Sequence, residues 1–210
     1  MSLQTPSGPA ARPIVSAGGY VFVSTIRPEK TGEGVPVAQQ TADVFRQLKA
    51  ALEGAGSSLG QLCAVQVSLR TASDFTAMNT AYAEALAGIE ALPTRTTIVS
   101  WTPVGTAIEI SAVAVPNGAR REAMLPQGWL KSPRPYSYII KTDDLVFFSG
   151  LLSRRGSDDA WVAGSPRLQT QTIMDNAGTL LDTAGLTYDD IVAARVYLTS
   201  PYDFEAMNES

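Results

Sequence analysis

Two charged side chains interrupt stretches that otherwise read as strands. Glu109 sits in the alternating run Ile108–Val115, between Ile108 and Ile110. A carboxylate among β-branched and small apolar residues can be desolvated, which raises its pKa and suits it to proton transfer. A solvated sheet face is the alternative reading of the same pattern. Arg95 follows Pro93-Thr94 and opens the run Arg95–Trp101, which is rich in β-formers. A guanidinium fixed by a strand and a preceding proline can hold a carboxylate bidentately, or serve in an ion pair. Ser24 lies toward the end of the run Tyr20–Ile26, before Arg27-Pro28, and offers a hydroxyl to a ligand or merely to the strand end. Asn79 lies with Met78 and Tyr82 on a helical pattern, facing either a site or solvent. Cys63, before Ala64-Val65, reads as a small buried hydrophobe.

Composition narrows what these groups can do. The 210 residues contain no histidine and one cysteine. Ser-His-Asp and Cys-His nucleophile systems, histidine-based zinc sites and an internal disulfide are thereby excluded, so the expected metal set is none. No GxGxxG or P-loop spacing is present, and no cofactor is expected. With 16 basic and 20 acidic side chains the formal charge is −4, which argues against a broad nucleic-acid surface. Segment 1–12 is Ser/Pro/Ala-rich without an apolar core, unlike a signal peptide. No apolar run approaches the roughly 18–20 residues of a membrane span. These features together lead to the expectation of a cytoplasmic protein that contacts neither membrane nor nucleic acid.

The elements that must position Arg95 and Glu109 occur twice. Asp74-Phe75-Thr76-Ala77-Met78-Asn79 returns as Asp203-Phe204-Glu205-Ala206-Met207-Asn208, an offset of 129. Val21-Phe22-Val23-Ser24 returns as Val146-Phe147-Phe148-Ser149 at offset 125, so copy 2 carries four extra residues, within the polar stretch Arg154–Ser165. A period this long means two tandem domains rather than a solenoid. Copy 1 is expected over 1–116, a linker over 117–128, and copy 2 over 129–210, where the repeat breaks off inside a helix and reads as C-terminally incomplete. Tyr20–Ile26, Ala64–Leu69 and Ile108–Val115 read as strands, as does Leu145–Leu151 in copy 2. Gln39–Ala55 carries apolar residues at helical spacing, and Gly56 stands where a left-handed residue would end the helix, as Gly185 does in copy 2. Ser73 or Asp74 can cap a second helix, whose apolar face is Phe75, Met78, Tyr82 and Ala85. Each complete copy therefore reads strand, strand, helix, strand, helix, strand, strand: an α+β fold, a mixed sheet with helices on one face. The other face needs a cover, so a homo-oligomer is expected.

Copy 1 resembles the Rid family (RidA/YjgF type, once called L-PSP endoribonucleases). The resemblance rests on Tyr20–Ser24, Leu52–Leu59, Asp74–Tyr82, Pro93–Thr97 and Ile108–Val115, in the right order and spacing, and copy 2 adds Pro135-Tyr136 and Phe148-Ser149-Gly150. It implies two tandem chorismate-mutase-like domains, trimers with sites in clefts between neighbouring domains, and hydrolysis of enamine or imine intermediates to a 2-keto acid and ammonia without a cofactor. Carried over residue by residue, it makes Arg95 the anchor of the substrate carboxylate and Glu109 the carrier of water and proton. Ser24, Asn79, Thr97, Tyr136, Ser149 and Gly150 would line the pocket, with Thr97 standing where many relatives have cysteine. Copy 1 departs from the pattern at Thr25 and Ile14, where Gly and an aromatic are usual, whereas copy 2 keeps Tyr136 and Ser149-Gly150. That complementarity leads to the expectation of a composite cleft, Arg95 and Glu109 from copy 1 and Tyr136 from copy 2. A small-carboxylate-binding or scaffold protein of the same fold, without catalysis, is the alternative, and ribonuclease action the least supported.

Overall fold

A computed structural model of the chain describes residues 14–32 and 34–209. Segment 1–12, read above as unlike a signal peptide, lies outside them. Copy 1 builds a five-stranded sheet of order β1-β2-β5-β3-β4, from β1 (Ile14–Ala17), β2 (Tyr20–Ile26), β3 (Leu62–Leu69), β4 (Thr94–Val99) and β5 (Ile108–Ala114). Gly18-Gly19 joins β1 to β2 with both φ angles positive (54° and 78°), the geometry that matches the twist of a two-residue hairpin. Only β3 and β4 run parallel, and the helix α2 (Phe75–Ala85) makes their crossover.

The helix α1 (Val37–Gly54) lies beside α2 on one face of this sheet. Its stripe Val44, Leu48 and Leu52 is fully buried against Val21, Val65, Val67 and Ile110. Gly56 stands just beyond it at φ 74°, and the Ser57 amide reaches back to the Leu52 carbonyl at 2.9 Å, closing the helix end as its sequence requires. Asp74 does precede α2 but makes no capping bond; its carboxylate accepts instead from the Thr71 hydroxyl.

Copy 2 carries a three-stranded antiparallel sheet, β6 (Glu122–Met124), β7 (Ile139–Lys141) and β8 (Val146–Phe148), then α3 (Pro166–Ala184) and α4 (Phe204–Asn208). Two expectations change here. The stretch read as a linker contributes β6, which pairs with β7. The strand expected over Leu145–Leu151 is only three residues long, because Ser149 and Gly150 turn their polar groups to copy 1 instead.

Copy 2 docks on the free edge of β4. The Ser137 amide donates to the Pro93 carbonyl (3.1 Å) and the Gly150 amide to the Arg95 carbonyl (3.1 Å). A small apolar cluster of Tyr20, Cys63, Val115 and Ile140 seals the junction, and the Tyr20 and Thr142 hydroxyls bond across it at 2.6 Å. An edge strand is thus covered within the chain rather than left open to unrelated partners. Segment 191–198, the counterpart of β3, is exposed and forms no ladder; its Arg195 donates to the Gln66 side chain at 3.2 Å. Those two residues are 129 positions apart and so hold the same place in the two copies.

Candidate active site

Arg95 enters β4 directly after the crossover, and its side chain turns to the helix side of the sheet. It is only 5% exposed. Its guanidinium carbon lies 4.8 Å from the ring centre of Tyr82 and 5.9 Å from that of Phe75, both on α2. The Tyr136 ring of copy 2 closes the opposite side at 5.5 Å. Cation–π contacts of this kind hold a guanidinium without neutralising it. One nitrogen, Nη1, donates to Asn79 Oδ1 at 2.9 Å. Among the described residues no carboxylate pairs with Arg95, and burial pulls its pKa below the ordinary value, a tendency that Tyr82 and Tyr136 oppose. A buried cation without an anion is costly to maintain, so this arrangement has an unfilled demand for a negative ligand.

Backbone contacts set the height of the guanidinium. The Arg95 amide donates to Ser149 Oγ at 2.9 Å, and that hydroxyl donates to the Ser137 carbonyl at 2.7 Å. Ser149, expected to bind substrate, is therefore committed to holding Arg95 against copy 2. Gly150 follows for a steric reason: a Cβ there would stand 3.2 Å from both Cγ2 and Oγ1 of Thr96. Thr97 lies two residues past Arg95 on the same face, and its hydroxyl is buried without a hydrogen-bond partner among the described residues. The Tyr82 hydroxyl is in the same condition, and burial raises its pKa far above the ordinary phenol range.

Glu109 does not join this group. Arg95 stands opposite Val65, and Val65 opposite Ala112, whereas Glu109 stands opposite Ser68. Side chains alternate along a strand, and Val65 and Ser68 are three residues apart, so Arg95 and Glu109 project from opposite faces of the sheet. On its own face Glu109 accepts from Arg27 Nε at 2.5 Å, with the carboxylate side chain 12% exposed. Ser24 is on that face too. It lines a cavity of about 410 Å³ with Phe22, Thr96, Ser111, Phe148 and Arg195.

The expected set is thus divided. Arg95, Asn79, Tyr136, Ser149 and Gly150 meet at the junction of the copies, with Thr97 on the same face of β4, and the expected meeting of Arg95 with Tyr136 is realised. Ser24 and Glu109 belong to the other face, so the expectation of one cleft containing Arg95 and Glu109 within the chain is corrected. Sequence reasoning missed Tyr82 and Phe75 as walls of the Arg95 slot, although their spacing from Asn79 puts them on the same side of α2. It also missed Arg27 as the partner of Glu109, for which only the proximity of Arg27 to Ser24 was a cue.

Residues 5–116 and 129–210 match the family described as Endoribonuclease L-PSP. A RutC family protein of Pyrococcus horikoshii is 40% identical over 114 residues, 52% of this chain and 88% of that protein. Reactive Intermediate Deaminase A, chloroplastic, of Arabidopsis thaliana is 29% identical over 110 residues, 52% of this chain and 57% of that protein. The 3-aminoacrylate deaminase RutC of Acinetobacter baylyi is 27% identical over 89 residues, 42% of this chain and 71% of that protein. Among the described residues no helix is long and apolar enough to cross a membrane.

Proposed function

The chain belongs to the endoribonuclease L-PSP (Rid) family, and from that premise we propose that it hydrolyses small 2-imino or 2-enamino acids to 2-keto acids and ammonia. The observation that carries this reading is the buried Arg95 guanidinium, pinned by Asn79 and Tyr136 and paired with no carboxylate among the described residues. A substrate carboxylate supplies the missing anion, and a forked guanidinium fixes its plane. The unpartnered Thr97 hydroxyl, on the same face of β4, offers a further hydrogen bond. Two named deaminases among the relatives support the same chemistry.

In the reaction water adds to the imine carbon, and its proton passes to the imine nitrogen. An enamine first takes a proton at its terminal carbon and becomes the imine, its N–H proton returning to the base. The carbinolamine then passes its hydroxyl proton to nitrogen, the C–N bond breaks with its electrons leaving on ammonia, and the carbon–oxygen double bond forms. A carboxylate assists by accepting the water proton and returning it to the leaving nitrogen. Glu109 projects from the opposite face to Arg95, so it serves an Arg95 cleft only when presented by another domain, in a homo-oligomer such as a trimer. The same observation favours a second reading, in which this cleft binds a small carboxylate without turning it over.

A coupled assay separates the two. A pyridoxal-phosphate dehydratase generates 2-aminoacrylate in the presence of semicarbazide, and the chain competes with the trap. The catalytic reading expects faster pyruvate release with wild type and loss of that gain with Arg95→Ala. Pyruvate binding that depends on Arg95, without faster release, establishes the second reading. No binding and no release overturns both.

A further inference from the structure

We propose that Arg134 is a second carboxylate-binding residue of the Arg95 cleft, so that the preferred substrate is a 2-imino or 2-enamino dicarboxylic acid. The inference rests on the deaminase reading and narrows its substrate class. Arg134 lies two residues before Tyr136, in a tight turn where the Tyr136 amide donates to the Arg134 carbonyl at 2.8 Å. Tyr136, which walls the Arg95 slot, packs edge-on against Tyr138 at 5.7 Å. Arg134 and the ring that walls Arg95 thus belong to one short turn, which brings a second positive charge into the neighbourhood of the first.

The extra loop of copy 2 decides how much of that charge is free. Its Asp159 accepts from Arg134 Nη1 at 3.2 Å, but Arg154 approaches the same oxygen, Oδ2, at 3.3 Å. Arg154 is otherwise consumed inside the loop, bonded to the Asp159 carbonyl and stacked 5.4 Å over Trp161. One carboxylate thus serves two arginines, and Arg134 keeps Nε and Nη2 without a partner among the described residues. Asp159 has φ 55°, unusual for a residue with a side chain, and these contacts hold it there. The longer loop of copy 2 therefore holds a second cation on the turn that carries Tyr136 and leaves it only half neutralised. A lone surface ion pair would not need the second arginine.

The test compares two five-carbon keto acids that differ at one end. 2-Oxoglutarate ends in a carboxylate and 2-oxovalerate in a methyl group, and both are titrated calorimetrically into the full chain. One charge-assisted bond at a partly solvated site predicts about tenfold tighter binding of 2-oxoglutarate. Arg134→Gln is expected to bring the ratio close to one while the 2-oxovalerate affinity falls far less than that of 2-oxoglutarate, and an unchanged circular dichroism spectrum reports an intact fold. Arg134→Lys should retain part of the preference. A wild-type ratio below about twofold, or a loss in Arg134→Gln that is equal for both acids, overturns the assignment of Arg134 and leaves Arg95 standing. If neither acid binds, the carboxylate reading of Arg95 fails, and this inference falls with it.

Discussion

Replacing Ser149 with alanine tests whether copy 2 holds Arg95 in place. Ser149 is 4% exposed, and its hydroxyl accepts from the Arg95 amide at 2.9 Å and donates to the Ser137 carbonyl at 2.7 Å. Removing it orphans one donor and one acceptor where water has little access, at about 1–3 kcal/mol each. Allowing for partial relaxation, roughly 2–4 kcal/mol of stability should be lost, which moves the urea midpoint by about 1–2 M at a slope near 2 kcal/mol per M. The repeat supplies the control. Ser24 occupies the corresponding place in copy 1, is exposed, and makes no side-chain hydrogen bond among the described residues, so Ser24→Ala should change stability by less than about 0.5 kcal/mol. Both variants are unfolded in urea and followed by circular dichroism, and both are titrated with 2-oxovalerate. Ser149→Ala should weaken that binding, since the Arg95 backbone loses an anchor. Equal effects of the two substitutions would falsify the claim that the hydroxyl of copy 2 positions the guanidinium of copy 1.

Two further outcomes follow from packing and burial. Gly150→Ala should cost about 1–2 kcal/mol through the 3.2 Å approach to Thr96, and Thr96→Ala in the same chain should restore most of it in a double-mutant cycle. Burial pushes the Cys63 thiol up to about 11 from an ordinary 9.0. The folded chain therefore keeps a proton that the unfolded chain releases first. That contribution is complete below the unfolded value and disappears as pH rises through 11, about 3 kcal/mol at most. Urea midpoints measured from neutral to alkaline pH should fall less steeply in Cys63→Ala, and native Cys63 should react with Ellman's reagent far more slowly than the unfolded thiol.

Local pattern revealed the elements better than it revealed their facing. The alternation of Ile108–Val115 and the apolar spacing of α1 are written in neighbouring residues, and both appear where expected. The left-handed glycines after α1 and α3 are equally local signals. The side of the sheet from which Arg95 and Glu109 project is another matter. It depends on the register of β4 and β5 against β3, a pairing between segments far apart in sequence. β6 was hidden for a related reason: Glu122-Ala123-Met124 has no β-branched residue, and only the presence of β7 makes it a strand. The double use of Ser149 was invisible because both its partners come from other elements.

The contact between Gln66 and Arg195 has a consequence for how this chain differs from an assembly of identical subunits. Equivalent positions touch only when they lie close to the rotation axis that relates them. In a ring of identical subunits a residue on that axis must meet itself: arginine would face arginine and repel, and glutamine would lack a charged donor. Fusing two copies in one polypeptide lifts that restriction. Each half can mutate alone, so a donor can face an acceptor on the axis. The duplicated chain thus has a freedom that strict symmetry denies, and the Gln66–Arg195 contact is an instance of it.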